Sequence, residues 1–276
     1  MAELVDRYAV MGNPIAHSKS PVIHRLFAEQ TNQPMEYTAI LVELGGFAVA
    51  ANSFAGHGGK GLNVTVPFKQ DAWEFVSVRS PRATRAGAVN VINFRSDGGI
   101  YGDNTDGVGL VRDLARNLGV HLAGKNVLVL GAGGAVRGVL EPLLSEHPAK
   151  VVIANRTLEK AVELAGVFES LGEVAACPLG RLASLPAFDL VINGTAASLQ
   201  GQTLDLPGSI VRDAVCYDMM YGKAPTPFMA WATLQGAAAV HDGLGMLVEQ
   251  AAESFYIWRG VRPRSQPVIQ ALRNGV

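Results

Sequence analysis

The amino-acid sequence predicts an α/β protein, and three observations carry this prediction. Short apolar runs alternate with stretches of helical spacing along most of the chain, which favours sheets with parallel strands. One such run, 125–130, meets a cluster of glycines and then a stretch of helical spacing. The length of 276 residues, with 49% hydrophobic and 17% charged side chains, allows one large core or two ordinary ones.

Composition and charge exclude several classes of protein. The net charge of -1 gives no reason to expect a nucleic-acid partner or a membrane-surface partner. Cys177 and Cys216 are isolated and lack metal-ligand spacing, so we expect a reduced, cytoplasmic environment and no metal ion. The N-terminus resembles no signal peptide, and no run approaches the roughly 20 apolar residues of a membrane helix.

One short segment combines a strand with reactive polar groups. Residues 62–66 alternate apolar and polar side chains, which predicts a strand with Leu62, Val64 and Val66 on one face and Asn63 and Thr65 on the other.

The residues after this predicted strand add a cation. Pro67 has no amide hydrogen and is predicted to end the strand, and Lys69 follows just beyond it. An amide, a hydroxyl and an ammonium group therefore lie near one place. We predict that this segment is the floor of an active site and that Lys69 is its reactive group.

A helix start near the N-terminus is a candidate anion site. A strand predicted at 8–12 leads to Ser20-Pro21, a pair typical of an N-cap and a first helical position. The hydroxyls of Ser18 and Ser20 would lie where free N–H groups suit a carboxylate or a phosphate. The alternative is that Ser20 only caps the helix and Ser18 fills a turn.

A hairpin precedes a candidate functional carboxylate. Residues 88–94 and 100–103 flank the turn signal Ser96-Asp97-Gly98-Gly99, which predicts an antiparallel pair of strands. The turn-rich loop 102–109 then opens a helix. Asp106 lies at this helix start, where it serves either as the N-cap or as a functional group.

The middle of the chain predicts a dinucleotide site. The apolar strand 125–130 meets the turn 131–138, and a helix follows to about Ser145. This strand–turn–helix context makes the glycine pattern meaningful, although Val136 stands where the third glycine of the full motif would be.

The next predicted strand, 151–154, indicates which dinucleotide is bound. It ends at Asn155-Arg156-Thr157 with no acidic residue to hold the ribose hydroxyls of NAD. A cation and a hydroxyl suit a 2′-phosphate, so we expect NADP. The alternative is that Arg156 is an ordinary surface residue.

Further strands are predicted at 189–195 and 214–221. The turn 241–245 then opens a long helix, 246–258, on which Gln250 shares a face with Leu247 and Ser254.

Taken together, these stretches resemble the shikimate dehydrogenase family over nearly the whole chain. The resemblance rests on seven segments in this order: 12–21, 63–69, 87–90, 102–107, 131–135, 155–157 and 242–246. It implies the reversible reduction of 3-dehydroshikimate to shikimate with NADPH, a step of aromatic amino-acid and chorismate biosynthesis. It also implies a substrate domain, 1–105 completed by 241–276, facing a Rossmann-like NADP domain, 106–240, across a cleft.

The resemblance also implies the site residues. The expected catalytic pair is Lys69 and Asp106. The expected substrate contacts are Ser18 and Ser20, which would hold the carboxylate, with Asn63, Thr65, Asn90, Asp106, Tyr221 and Gln250. The expected cofactor contacts are Gly131, Ala132, Gly133, Gly134, Ala135, Asn155, Arg156, Thr157, Met219 and Gly243. Protonated Lys69 is expected to polarise the carbonyl and donate the proton during reduction, oriented by Asp106.

Two positions depart from the family pattern. Ser198 stands where the segment after Asn193-Gly194-Thr195 usually has a glycine. Ser80-Pro81-Arg82 occupies a place where an acidic residue is often found.

Two rival functions follow from the same residues. One is a quinate/shikimate dehydrogenase with relaxed cofactor use, and the other is a non-catalytic NADP-binding paralogue. Ser18, Ser20 and Thr65, with no acid beside Arg156, favour the strict NADP enzyme. The joint presence of Lys69 and Asp106 disfavours the paralogue. The expected partner is a small-molecule substrate, and the sequence leaves open whether the chain forms a homodimer.

Overall fold

The chain divides into two units, residues 1–109 with 248–276, and residues 110–247. The structure, a computed structural model, describes residues 5–195 and 205–276. Each unit builds its own six-stranded sheet and carries helices, so the predicted α/β class is confirmed.

The elements follow one another in a largely alternating order. As far as α5 they are β1 (Asp6–Gly12), α1 (Ser20–Thr31), β2 (Met35–Leu41), α2 (Phe47–Gly56), β3 (Gly59–Val64), α3 (Lys69–Phe75), β4 (Val78–Arg79), α4 (Pro81–Ala86), β5 (Val91–Phe94), β6 (Ile100–Asp103) and α5 (Asp106–Arg112). The remaining strands and α-helices are β7 (Asn126–Leu130), α6 (Gly134–Leu144), β8 (Lys150–Asn155), α7 (Leu158–Phe168), β9 (Val174–Pro178), β10 (Leu190–Asn193), β11 (Val215–Asp218), α8 (Pro227–Leu234), β12 (Ala239–Asp242), α9 (Leu244–Arg259) and α10 (Gln266–Arg273). A π-helical turn, Asp113–Asn117, continues α5.

The sheet of the first unit is mixed, with the order β2-β1-β3-β5-β6-β4. Strand β1 is parallel to β2 and β3, whereas β5 is antiparallel to β3 and to β6. The predicted hairpin is confirmed by the β5–β6 pair. Both neighbours of β3 adjoin predicted site residues, since β1 precedes Ser18 and Ser20 and β5 directly follows Asn90.

Two different cores cover this sheet. Aliphatic and aromatic side chains such as Met11, Leu62 and Phe68 form one of them. An aromatic cluster forms the other from these residues: Tyr8, His24, Phe27, Tyr37, Phe255 and Trp258. Because α9 supplies Phe255 and Trp258 to it, the C-terminal segment is part of the first unit.

Two local predictions for this unit were wrong. The predicted strand 62–66 runs from Gly59 to Val64, and Val66 is 66% exposed instead of sharing the buried face. The chain turns after Val64, because the Phe68 amide bonds back to the Thr65 carbonyl.

The second wrong prediction concerns the start of α1. The N-cap is Lys19 rather than Ser20, and Ser20 is the first helical residue, with a buried side chain. The Ser18 hydroxyl accepts a hydrogen bond from the Ser20 amide at 3.3 Å and so takes the capping part predicted for Ser20.

The second unit is a parallel sheet with the order β12-β11-β10-β7-β8-β9. Strand β7 is the first of these in the chain and lies in the middle, which gives the doubly wound topology of Rossmann-like folds. Residues Val127 to Leu130 are fully buried, as expected for a parallel strand with both faces covered. Cys216 on β11 is a packing residue, since burial raises the pKa of its thiol to about 12.

The described part of the chain contains neither a membrane-spanning helix nor a cluster of metal-ligating side chains. No helix in it is both long enough and apolar enough to cross a membrane. Within residues 5–195 and 205–276, no group of three or more His, Cys, Asp or Glu side chains is placed to hold a metal ion.

Candidate active site

The predicted catalytic pair forms an ion pair in the first unit. The Lys69 Nζ lies 2.6 Å from the Asp106 Oδ2, and both side chains are mostly buried. Lys69 begins α3 and Asp106 begins α5, so two helix starts bring the charges together. The Asp106 amide donates to the Asn104 Oδ1 and so has a partner of its own. The Asp106 carboxylate is then used for contacts with other side chains.

Asn90 connects the carboxylate to the rest of the site. The two hydrogens of its Nδ2 face three acceptors within hydrogen-bond distance, Asp106 Oδ1 at 2.8 Å, Thr105 Oγ1 at 3.0 Å and Gln250 Oε1 at 3.3 Å. Its Oδ1 accepts from the Thr105 amide at 2.8 Å. The Asp106 carboxylate is thus held by an ammonium on one oxygen and an amide on the other.

Asn63 is also held by several hydrogen bonds, and few of its donors and acceptors remain for a ligand. Its Nδ2 donates to the Asn90 carbonyl at 3.1 Å and to Ser254 Oγ at 2.9 Å. Its Oδ1 accepts from Tyr37 Oη at 2.7 Å. An amide nitrogen has only two hydrogens, so Asn63 can offer a ligand an acceptor but no donor.

The chemistry of this cluster suits a hydroxylated molecule that carries a carbonyl. An ammonium group has three donors, and Lys69 gives one to Asp106, so two remain for a ligand oxygen. Each Asp106 oxygen can accept a further bond from a hydroxyl. The pair can therefore bind a carbonyl or alcohol oxygen beside a neighbouring hydroxyl and can donate or accept one proton.

The predicted dinucleotide site lies at the start of α6 in the second unit. Gly131 follows β7 and has φ +105, in the region that favours glycine, and a Cβ there would lie 3.2 Å from the Thr195 methyl. Gly133 and Gly134 face open space. The N-cap Gly133 has no side chain to cap the helix, so the first N–H groups of α6 can meet a pyrophosphate.

The turn after β8 fits a 2′-phosphate. The Asn155 Nδ2 donates to the Thr157 carbonyl at 2.8 Å and so shapes the turn. Arg156 is exposed. An exposed guanidinium in a turn without a carboxylate side chain suits a phosphate and disfavours the bare ribose of NAD.

The other predicted cofactor residues follow two neighbouring strands, Met219 after β11 and Gly243 after β12. The buried Asp218 carboxylate accepts from Asn193 Nδ2, Thr226 Oγ1 and the Met220 amide. A Cβ on Gly243 would lie 2.2 Å from the Met219 carbonyl, so these two backbones pack together and require glycine.

The structure brings some predicted residues into contact and leaves others apart. Asn63, Lys69, Asn90, Asp106 and Gln250 share one hydrogen-bonded cluster in the first unit. Ser18 and Ser20 lie at the start of α1 in that unit, and half-buried Thr65 follows β3.

The second unit holds the rest of the predicted site. These residues are the glycine turn, the Asn155–Thr157 turn, Met219, Gly243 and Tyr221, which is 40% exposed. Ser198, which departs from the family pattern, lies outside the described residues.

Sequence reasoning missed three members of the cluster. Ser254, whose Oγ accepts from Asn63 Nδ2, has helical spacing to Gln250, but nothing in its residue type indicates a site. Thr105 lies in the loop that had already been singled out, next to Asp106, but nothing in its spacing distinguished it. Tyr37 gave no signal at all, because one Tyr in a strand is usually a packing residue. Its hydroxyl reaches Asn63 only because β1 and β3 place β2 beside the site.

Three family models match successive parts of the chain. They are described as the shikimate dehydrogenase substrate binding domain (residues 10–92), shikimate / quinate 5-dehydrogenase (residues 113–202) and the shikimate 5′-dehydrogenase C-terminal domain (residues 243–273). A protein of Cellvibrio japonicus named shikimate dehydrogenase (NADP(+)) is 59% identical over 98% of this chain and 98% of its own length. The chain belongs to the shikimate dehydrogenase family.

Solved structures agree with this membership. An Ael1 enzyme from Pseudomonas putida is 47% identical, covers 97% of this chain and 98% of its own, and has a TM-score of 0.93. Shikimate 5-dehydrogenase of Thermus thermophilus, solved in complex with NADP(H) and shikimate, is 31% identical over 99% of this chain and all of its own, with a TM-score of 0.87. The resemblance inferred from the seven segments is thus confirmed.

Proposed function

We propose that this shikimate dehydrogenase family member interconverts 3-dehydroshikimate and shikimate with NADP(H). The observation that carries the proposal is the Lys69–Asp106 ion pair inside a cluster of amide and hydroxyl groups. The relatives named above, one of them 59% identical and named for NADP(+), support the same substrate and cofactor.

The proposed acid and base is Lys69. During reduction its ammonium donates a hydrogen bond to the carbonyl oxygen and then transfers the proton to the forming alcohol. During oxidation the amine takes that proton back. Asp106 keeps the Lys69 Nζ in place at 2.6 Å and accepts a hydrogen bond from a neighbouring hydroxyl of the substrate.

The remaining substrate contacts are proposed from the donors and acceptors that they offer. Asn63 offers an acceptor to a ring hydroxyl, and Thr65 offers its hydroxyl. The hydroxyls of Ser18 and Ser20 bind the carboxylate near the start of α1, where backbone N–H groups add partial positive charge. Asn90 orients Asp106 and Gln250, and the phenol of Tyr221 is the remaining proposed substrate contact.

The glycine turn before α6 and the turn after β8 support NADP binding by the second unit. The N–H groups of residues 131–135 would bind the pyrophosphate, and residues 155–157 would bind the adenosine 2′-phosphate through Arg156. Met219 and Gly243 would contact the nicotinamide part. When bound, the cofactor supplies or takes up the hydride.

One set of assays tests the proposal against both rivals. Purified protein is offered shikimate or quinate with NADP or NAD, and the absorbance of the reduced cofactor is followed. We expect the highest kcat/KM for shikimate with NADP. Equal values for quinate would favour the quinate/shikimate dehydrogenase, and no turnover with any pair would favour the non-catalytic paralogue.

A homodimer stays an open alternative to a monomer, and the cytoplasmic location stays a prediction. Light scattering on the same preparation distinguishes a monomer from a homodimer. Cell fractionation tests the expected cytoplasmic location.

A further inference from the structure

Tyr37 stands out because it contacts the site without belonging to the predicted set. It lies on β2, the edge strand of the first sheet, and its Oη donates to Asn63 Oδ1 at 2.7 Å. Burial raises the pKa of the Tyr37 hydroxyl well above its usual range, and a hydrogen bond with the Ser20 side chain opposes this only partly. The hydroxyl therefore stays protonated and available as a donor.

The ring of Tyr37 is fixed by its packing. It stacks on the His24 ring with centroids 4.1 Å apart and an angle of 8° between the planes. His24 is fully buried on α1, one turn after Ser20 and on the same face of the helix. One rigid stack therefore aims the Tyr37 hydroxyl at Asn63 and Ser20.

The hydrogen-bond capacity of Asn63 shows what this contact achieves. Both hydrogens of its Nδ2 are used by the Asn90 carbonyl and Ser254 Oγ. The oxygen Oδ1 receives the Tyr37 hydroxyl and keeps one further acceptor position. Tyr37 and the two Nδ2 partners thus hold the amide in one orientation, in which the ligand meets an acceptor.

We propose that Tyr37 is a positioning residue for substrate binding, which fixes the Asn63 amide so that its oxygen accepts a hydrogen bond from a substrate hydroxyl. This inference rests on the proposed function. It assigns to Tyr37 an effect on the affinity for a hydroxylated substrate and no part in proton transfer, because its contacts are with Asn63 and Ser20 and not with Lys69.

The first test removes only the hydroxyl. Tyr37→Phe keeps the ring stacked on His24 and deletes the hydrogen bond to Asn63 together with the contact with Ser20. One hydrogen bond is typically worth about fivefold in an equilibrium constant. We expect KM and Kd for shikimate to rise about fivefold, with kcat changing less than about twofold.

Tyr8→Phe is the matched control. Tyr8 pairs directly with Tyr37 across β1 and β2, belongs to the same aromatic cluster and is itself buried. Its hydroxyl accepts from Arg259 instead of reaching Asn63. We expect KM for shikimate to be unchanged in this variant, and an equal rise in both variants would overturn the proposal.

A double-mutant cycle tests whether Tyr37 acts through Asn63. In an Asn63→Ala background, Tyr37→Phe should no longer change the Kd for shikimate, measured by titration calorimetry. Asn63→Ser is the second background in case Asn63→Ala does not fold, since it also removes the oxygen that accepts from Tyr37.

The outcomes distinguish the positioning role of Tyr37 from the proposed function of the protein. An undiminished effect of Tyr37→Phe in either background would overturn the positioning part alone. Failure of the unaltered protein to turn over shikimate would overturn the proposed function itself.

Discussion

At the scale of single residues, the site depends on how charge is shared inside a small polar cluster. The charges of Lys69 and Asp106 compensate one another, and Asn90 supplies the second hydrogen bond that the buried Asp106 carboxylate needs. No backbone N–H takes part in these two contacts, so each side chain can be tested by one substitution.

Replacing Lys69 tests the acid–base assignment. Lys69→Ala should lower kcat by about 10²- to 10⁴-fold, the usual contribution of a general acid, with a much smaller change in KM. Steady-state kinetics in both directions provides the measurement. Lys60→Ala is the control, because Lys60 is exposed on β3, the strand that precedes Lys69 in the chain. A normal kcat with a raised KM would show that Lys69 only binds the substrate.

Replacing Arg156 tests the choice of cofactor. Arg156→Ala should raise KM for NADPH at least about tenfold, since hydrogen bonds to charged groups contribute about 1.5–3 kcal/mol. KM for NADH should stay the same. Arg181→Ala, at an exposed site of the same unit, controls for loss of general positive charge. Equal losses for both cofactors would place the Arg156 side chain away from the 2′-phosphate.

The buried His24 predicts how stability depends on pH. Burial lowers the pKa of its imidazole from 6.5 to about 3, so the native state keeps it neutral. The unfolded chain binds a proton below about pH 6.5, and so stability is complete above that pH and falls as the pH drops toward 3. Between pH 7 and pH 5 this single group should cost about 2 kcal/mol of unfolding free energy.

A substitution isolates that effect. His24→Leu should remove about 2 kcal/mol from the difference in unfolding free energy between pH 7 and pH 5. Urea unfolding followed by tryptophan fluorescence is suitable, because Trp258 lies 5.4 Å from the His24 ring. His57→Gln, at an exposed site of the same unit, should leave the pH dependence as it is. An unchanged pH dependence in His24→Leu would contradict the prediction.

At the scale of elements, a buried charge network joins three segments that carry site residues. Arg82 on α4 donates two hydrogen bonds of 2.7 Å to the Asp103 carboxylate at the end of β6. It also lies 3.6 Å from Glu253 on α9, three residues after Gln250. Helix α4 leads to Asn90 and β6 leads to Asp106, so Arg82 ties together the elements that position them.

Removing Arg82 should therefore loosen the first unit. Arg82→Met leaves the buried Asp103 without its cation, which should destabilise the unit by about 3 kcal/mol. Arg82→Lys keeps the charge but loses the paired geometry, so an intermediate loss is expected.

The control for the Arg82 variants is an exposed ion pair. Arg25→Met breaks the Arg25–Glu29 pair on α1, where both side chains are more than half exposed, and should cost less than about 0.5 kcal/mol. The midpoint of urea unfolding measures all three variants. Similar losses for Arg82→Met and Arg25→Met would show that burial of the network adds nothing.

At the scale of the whole molecule, the chain builds two units with separate cores, and the first unit uses both ends of the chain. Helix α9 gives it Phe255, which is fully buried, and Trp258, whose Nε1 donates to the Ile92 carbonyl at 2.9 Å. Burial of one such side chain contributes about 1.5–3 kcal/mol, a large part of the 5–15 kcal/mol typical of a domain.

A truncation tests this arrangement. A chain that ends at residue 247 should lose the fold of its first unit and keep that of residues 110–247. Amide NMR spectra should then show dispersed signals for the second unit and collapsed signals for residues 5–109. Deleting only the exposed Gly275 and Val276 should leave both sets dispersed. Dispersed signals for 5–109 in the truncated chain would contradict the prediction.

The sequence by itself determined the α/β class, the family and the residues proposed for chemistry. Glycine turns, strand periodicity and the segments around Ser18, Lys69, Asp106 and Arg156 are local patterns, and local patterns survive in a linear sequence. The end of β3 and the cap of α1 were misplaced because side-chain and turn hydrogen bonds decide such boundaries.

Only the tertiary structure decided the distances and the partners of the hydrogen bonds within the site. Lys69 and Asp106 are 37 residues apart, and Asn63 meets Ser254 across 191 residues. Tyr37 acquired its contact with Asn63 from the order of β2, β1 and β3 in the sheet. Hydrogen bonds depend on distance and direction in space, and no spacing along the chain encodes either of these for residues so far apart.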